Sequence, residues 1–169
     1  DIVVLRVGPR GSPYTIRVEV AASPEAIVKG LSGRPSLPKG TGLFFVFPEW
    51  APQSMWMKGM HFPLDIIWLD EQLAVTAITE GAAPCQALAV AAEAQCQSYP
   101  SGYSVKYAIE MNAGDAATYG FRQGVQLAIA RAQPGARPAD KAQIGVAGLD
   151  RGHKAADRPH DHHAFDAQI

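Results

Sequence analysis

Met55-Trp56-Met57-Lys58-Gly59-Met60-His61-Phe62-Pro63-Leu64-Asp65-Ile66-Ile67-Trp68-Leu69 is the stretch on which the reading of this chain turns. It sets one cation (Lys58), one imidazole (His61) and one carboxylate (Asp65) inside apolar and aromatic sequence. Pro63 fixes its own φ and pushes Phe62 towards an extended conformation. The β-branched and aromatic run at 66–69 then predicts a strand. Alternation puts Asp65 on the face of Ile67 and Leu69, with Ile66 and Trp68 opposite. A carboxylate on an apolar face needs a cation or hydrogen-bond donors, or it stays protonated. Lys58 is the nearest candidate in sequence. Two readings follow. Asp65 is structural, in an ion pair or bonded to backbone amides at a strand start, or it is a polar handle in a pocket.

The flanking sequence predicts a β-rich chain. Ile2–Val7 and residues 14–20 read as strands separated by turn chemistry at Arg10-Gly11-Ser12-Pro13. Ser23 caps a short helix in which Pro24 takes the first position, Glu25 suits the positive end and Gly30 ends it. Residues 42–47 are continuously apolar and read as a strand covered on both faces, ending at Pro48, with a turn at 50–53. The strand at 66–69 pairs with residues 73–79 across a polar turn at Asp70-Glu71-Gln72. Residues 86–95 are Ala-rich and fit a short helix. Residues 104–111 alternate, with Val105, Tyr107, Ile109 and Met111 opposite Lys106, Ala108 and Glu110. A second short helix at 116–119 and a strand at 125–130 follow. From Arg131 the chain carries few branched aliphatics, and we expect extended or disordered chain there. One β-rich domain over 1–130 and a tail over 131–169 is the expected organisation. The tail's His160-Asp161-His162-His163 has the residue types to bind a transition metal, but without a folded frame an adventitious or tag-like cluster is the stronger reading.

Composition narrows the classes. A chain of 169 residues buries roughly 70 per cent of its unfolded surface, so no metal or disulfide is obligatory. Fifteen Lys and Arg against sixteen Asp and Glu give a net charge of −1, and no basic stripe points to nucleic acid. No apolar run reaches the length of a membrane span. A start at Asp1 fits a mature chain that has lost its leader. Cys85 and Cys96 are compatible with one disulfide and an oxidising compartment, or with two unrelated core thiols.

Four motifs in order then identify a resemblance: Gly30-Leu31-Ser32-Gly33-Arg34, Gly42-Leu43-Phe44-Phe45-Val46-Phe47, Trp56-Met57-Lys58 with Pro63-Leu64-Asp65-Ile66, and Ala108-Ile109-Glu110-Met111-Asn112-Ala113-Gly114. From about residue 14 to 129 the chain resembles the uncharacterised domain of unknown function 192 family. The resemblance implies a mainly-β sandwich or barrel with one or two short helices, with an α+β arrangement as the alternative, and it implies no activity. Pro84-Cys85, with Cys96, Tyr99 and Pro100, is similar to a pattern in many members, which implies a Cys85–Cys96 disulfide. Export signals are frequent in the family, which implies a secreted or periplasmic site. Gly59-Met60 replaces the usual Asn-Thr, and Val125 stands where a Gly-Asp pair is usual. If those groups line the family's site, this chain has a more apolar one.

Three functional readings remain. A binding module would use Trp56, Met57, Phe45, Phe47 and Trp68 as aromatic and apolar walls for a small molecule or glycan, with Arg34 of the first motif as a polar contact. A small hydrolase of esters or lactones would use Asp65, Glu110, His61 and Lys58. In that reading Asp65, Glu110 and His61 hold water or a divalent metal ion. A structural or partner-binding module of an exported assembly is the third. A pocket lined by Trp56, Asp65 and Glu110 with a metal in it favours the hydrolase, and a dry, fully packed centre favours the assembly module.

Overall fold

The computed structural model describes residues 1–85 and 96–130. The expected helix at 86–95 and the tail from 131, with its histidine cluster, lie outside the described residues. Seven strands form one sheet in the order β5-β4-β6-β3-β2-β1-β7. They are β1 (Ile2–Val7), β2 (Thr15–Ala21), β3 (Thr41–Trp56), β4 (Leu64–Leu69), β5 (Val75–Ala82), β6 (Ser98–Asn112) and β7 (Leu127–Ile129). All neighbours are antiparallel except β2 and β3. Two short helices, α1 (Pro24–Lys29) and α2 (Asp115–Thr118), complete the expected mainly-β fold.

The sheet curls into a half-barrel. Its two edges approach at a seam where Val75 N donates to Val125 O (2.9 Å), Gly124 N to Val75 O (2.8 Å) and Leu127 N to Leu73 O (3.0 Å). Alternation along β2 shows the consequence. Ile16 and Val18 are buried inside the curl, while Thr15, Arg17 and Glu19 face out. Every strand contributes to this inner core, including Leu5, Val18, Phe44, Ile67, Val75, Ile109 and Leu127. A second core lies on the convex face over β3, β4 and β6, with Phe45, Phe47, Leu64, Ile66, Trp68 and Ala108 covered by Leu31, Met57 and Met60. β4 lies between the two, and all six of its residues are buried. That double burial is why Leu64-Asp65-Ile66-Ile67-Trp68-Leu69 reads as a continuous run rather than an alternating one.

α1 forms as expected. The Ser23 hydroxyl accepts from Ala26 N at 3.2 Å, and Gly30 N closes the helix on Ala26 O at 3.0 Å. Gly30, at φ +50°, turns the chain so that Leu31 drops into the outer core.

Three expectations are corrected. β3 does not stop at Pro48; it continues to Trp56 through the residues expected as a turn. Register shifts against β6 fall between Val46 and Ala51 and between Pro52 and Ser54. Such irregularities seat Pro48 and Pro52 where a regular ladder would want an amide proton. β6 begins at Ser98 rather than 104, because the prolonged β3 gives it a partner. Leu73 belongs to the turn before β5, at φ +65°, since the Asp70 carboxylate accepts from Gln72 N and Ala74 N and holds that turn tight. Cys85 and Cys96 form a disulfide with Cα atoms 5.6 Å apart, as the resemblance implied.

Candidate functional site

The convex face carries a cavity of about 550 Å³. Its floor is sheet: Phe45 and Phe47 of β3, stacked with ring centroids 6.2 Å apart, and Glu110 of β6. One wall is α1 and the turn after it, with Ile27, Val28, Lys29, Gly30 and Ser32. The other is the far end of β3 and the segment beyond it, from Gln53 through Trp56 to Lys58, Gly59 and Met60. This wall is tied down on both sides. Cys85 N donates to Met57 O at 2.9 Å, Gly59 N to Cys85 O at 3.3 Å, and Gly33 N to Gly59 O at 3.0 Å. The disulfide therefore anchors a residue that is bonded directly to the cavity wall. Ser54 and Ser98 share a short hydroxyl–hydroxyl hydrogen bond, and the Lys58 ammonium lies over the Trp56 ring, 5.4 Å from its centroid.

Glu110 is the polar group at the floor. It is only 6 % exposed, and its Oε2 has no hydrogen-bond partner among the described residues. Its cross-strand neighbours are Leu43 and Ile66, both apolar. Burial pushes the carboxyl up to about 7. Gly30 stands over it: a Cβ there would lie 3.6 Å from Glu110 Oε2 and 3.6 Å from Phe45 Cζ. Lys106, a candidate partner two residues away on the same strand, instead donates to Pro48 O at 2.9 Å.

The sheet register separates the two carboxylates. Asp65 pairs with Met111 and Ile66 with Glu110, so Asp65 points to the inner face and Glu110 to the outer. Asp65 accepts three backbone amides: Gly81 N at 2.9 Å on Oδ1, and Gly114 N at 2.8 Å and Ala116 N at 3.0 Å on Oδ2. It staples β5 and the entry to α2 onto β4. Amide donors thus take the place of the expected Lys58 partner.

Of the other expected site residues, Lys58, Trp56, Phe45 and Phe47 line the cavity. Trp56 is half exposed at its mouth. His61 is exposed and does not line it. Met57 and Trp68 are core residues, the latter donating from Nε1 to Thr79 Oγ1 at 3.2 Å. Arg34 forms a two-pronged pair with Glu19 at 2.6 and 2.7 Å, which holds the Glu19 carboxyl below its ordinary range. The constellation of Asp65, Glu110 and His61 is not assembled, and no group of three His, Cys, Asp or Glu suited to a metal ion occurs among the described residues.

Sequence reading missed Gly30 and Ser32, and it raised Gly59 and Met60 only through the family comparison. Gly30 and Ser32 sit in the first family motif, and Gly59-Met60 is one of the two departures from the family pattern. That departure lies on the cavity wall, whereas Val125 lies at the seam. Gly59 has φ +69°, a conformation that glycine and asparagine share.

Residues 5–129 match the model of the domain of unknown function 192 family, whose description is an uncharacterised ACR group. No curated protein matches the chain. Two crystal structures are similar to it. One is of a protein from Sinorhizobium meliloti 1021 described as a candidate transcription regulator, at 26 % identity and a TM-score of 0.67, covering 76 % of this chain and 94 % of that one. The other is of a protein of unknown function from Novosphingobium aromaticivorans DSM 12444, at 25 % identity and a TM-score of 0.65, covering 75 % and 84 %.

Proposed function

Because the chain belongs to the domain of unknown function 192 family, whose description assigns no activity, we propose a function from the site alone: an exported binding module whose convex-face cavity takes a small molecule. The observation that carries this reading is Glu110. A buried carboxyl without a donor is costly, and a glutamine or an aliphatic residue would cost less at the same place. Such groups concentrate where a ligand or a reaction uses them. The cavity around it has stacked rings on the floor, a half-exposed indole at the mouth and one deep polar group, which is the usual make-up of a small-molecule site. Its walls are held before any ligand arrives, by the helix cap on one side and by the Cys85 and Gly33 amides on the other.

The competing readings are weaker. A metal-dependent hydrolase needs Asp65 and Glu110 around one ion, and a β-sheet lies between them. An assembly module leaves a cavity of about 550 Å³ beside a buried carboxyl without a use. Export rests on the disulfide and on the family resemblance. Among the described residues no helix is long and apolar enough to cross a membrane.

The test is a titration of isotopically labelled protein with a library of small aromatic and aliphatic fragments, followed by amide chemical shifts. Binders should move Gly30, Ser32, Gly59 and Met60 together. Shifts scattered over the surface, or confined to other faces, would defeat the proposal. Cell fractionation that finds the protein in the cytosol with both thiols reduced would remove the export half and leave the binding half standing.

A further inference from the structure

We propose that the cavity selects a ligand carrying a protonated amine on an apolar or aryl body, with the nitrogen seated against the Glu110 carboxylate. The proposal rests on the binding reading above and names the ligand class for it. An ionised carboxylate is an acceptor only, and the described residues supply Glu110 Oε2 with no donor. The missing donor has to come from the ligand. An ammonium supplies several N–H groups and the opposite charge, which makes the strongest available hydrogen bond to a carboxylate. Phe45 and Phe47, which line the floor beside Glu110, offer the apolar body of such a ligand aromatic surface to pack against. An anionic end group seated at the floor would be repelled by the ionised Glu110 carboxylate.

Among the described residues, the charged side chains that share the cavity with Glu110 are Lys29 from α1 and Lys58 from the opposite wall. The residues paired with Glu110 on β3 and β4, Leu43 and Ile66, carry no charge. The two ammonium groups disfavour a second positive charge on the ligand, so a monoamine fits better than a diamine. The carboxyl of the unliganded protein titrates near neutrality, which gives binding a signature. Seating an ammonium favours the ionised form, so Glu110 releases its proton as the amine binds. A neutral ligand that accepts from the protonated acid would draw a proton in.

Phenethylamine, 2-phenylethanol and 3-phenylpropionate share a similar body and differ in the end group. They are compared by calorimetry near neutral pH in two buffers of different ionisation enthalpy, with amide shifts to locate binding. The expected result is phenethylamine tightest, by about tenfold over the alcohol, with net proton release and shifts at Gly30 and Gly59. Glu110→Gln should erase the amine's preference over the alcohol and the proton release. If that variant does not fold, the wild-type protein should still bind the amine about tenfold more tightly at about pH 8 than at about pH 5.5. Preference for the alcohol or the acid, proton uptake, or amine binding indifferent to Glu110→Gln would overturn the amine class and leave the cavity reading in place. If none of the three moves a cavity amide, the binding reading itself fails and this proposal with it.

Discussion

Replacing Asp65 by asparagine removes one charge and one acceptor from a site that uses both. The carboxylate receives three amide protons, from Gly81 on one oxygen and from Gly114 and Ala116 on the other. Asparagine offers one oxygen and one NH2. With its oxygen kept towards Gly114 and Ala116, the NH2 faces the Gly81 N–H, donor against donor. That leaves a buried amide proton unpaired, which costs about 1–3 kcal/mol. The two surviving bonds lose their charge assistance, roughly 0.5–1 kcal/mol each. The sum is about 3 kcal/mol, or a melting temperature lower by about 10 °C for a domain of this size. Calorimetry and urea titration measure the loss. Amide shifts of a cavity ligand should be unchanged, because Asp65 lies on the opposite face of the sheet from the cavity. A loss below about 1 kcal/mol would refute the stapling role. Intact stability with abolished cavity binding would show that the carboxylate serves the site instead.

Glu110→Gln should behave in the opposite way. The folded carboxyl titrates at about 7 against an ordinary 4.5, so its destabilising effect is absent below about pH 4.5, grows as pH rises, and is complete above about pH 7. Relative to the wild-type protein, the variant should gain about 3 kcal/mol between pH 4 and pH 8, and a pH-independent difference would contradict the burial of that charge. The Cys85–Cys96 bridge spans a sequence separation of 11 and should contribute about 3 kcal/mol. Intact mass without reductant should show it closed, and two alkylatable thiols in the folded, air-oxidised protein would reject it.

Much of the sheet was legible because its strands obey local rules. The alternation of β2, the unbroken run of β4 and the Ser23-Pro24-Glu25 start of α1 each carry their own signal. The far half of β3 was not, since Pro48 and Pro52 normally end strands and only pairing with β6 makes them tolerable. The candidate site was half legible. Alternation alone assigned Asp65 to the side of Ile67, and Glu110 to the side of Ala108. Which of those faces coincide depends on the pairing of β4 with β6, two strands separated by some thirty residues of intervening chain. Without that register the two carboxylates could be placed together, and the structure sets them on opposite sides. Gly30 and Ser32 were invisible as site residues for a related reason. They reach the cavity because a helix turn crosses the outer sheet face, and nothing local in the sequence encodes that crossing.

The seam that joins Leu73 and Val75 to residues 124–127 also governs when the chain can finish folding. β7 pairs with β1, so the last of the described strands must find the first. A nascent chain cannot complete this sheet until residue 129 has left the ribosome, and until then the β1 edge stands open. Contacts of such long sequence separation form slowly, and an unpaired edge is a template for another chain. Synthesis that stalls between β6 and β7 would therefore leave a nearly complete sheet with an exposed edge on β1, and that species is the one a chaperone would need to shield.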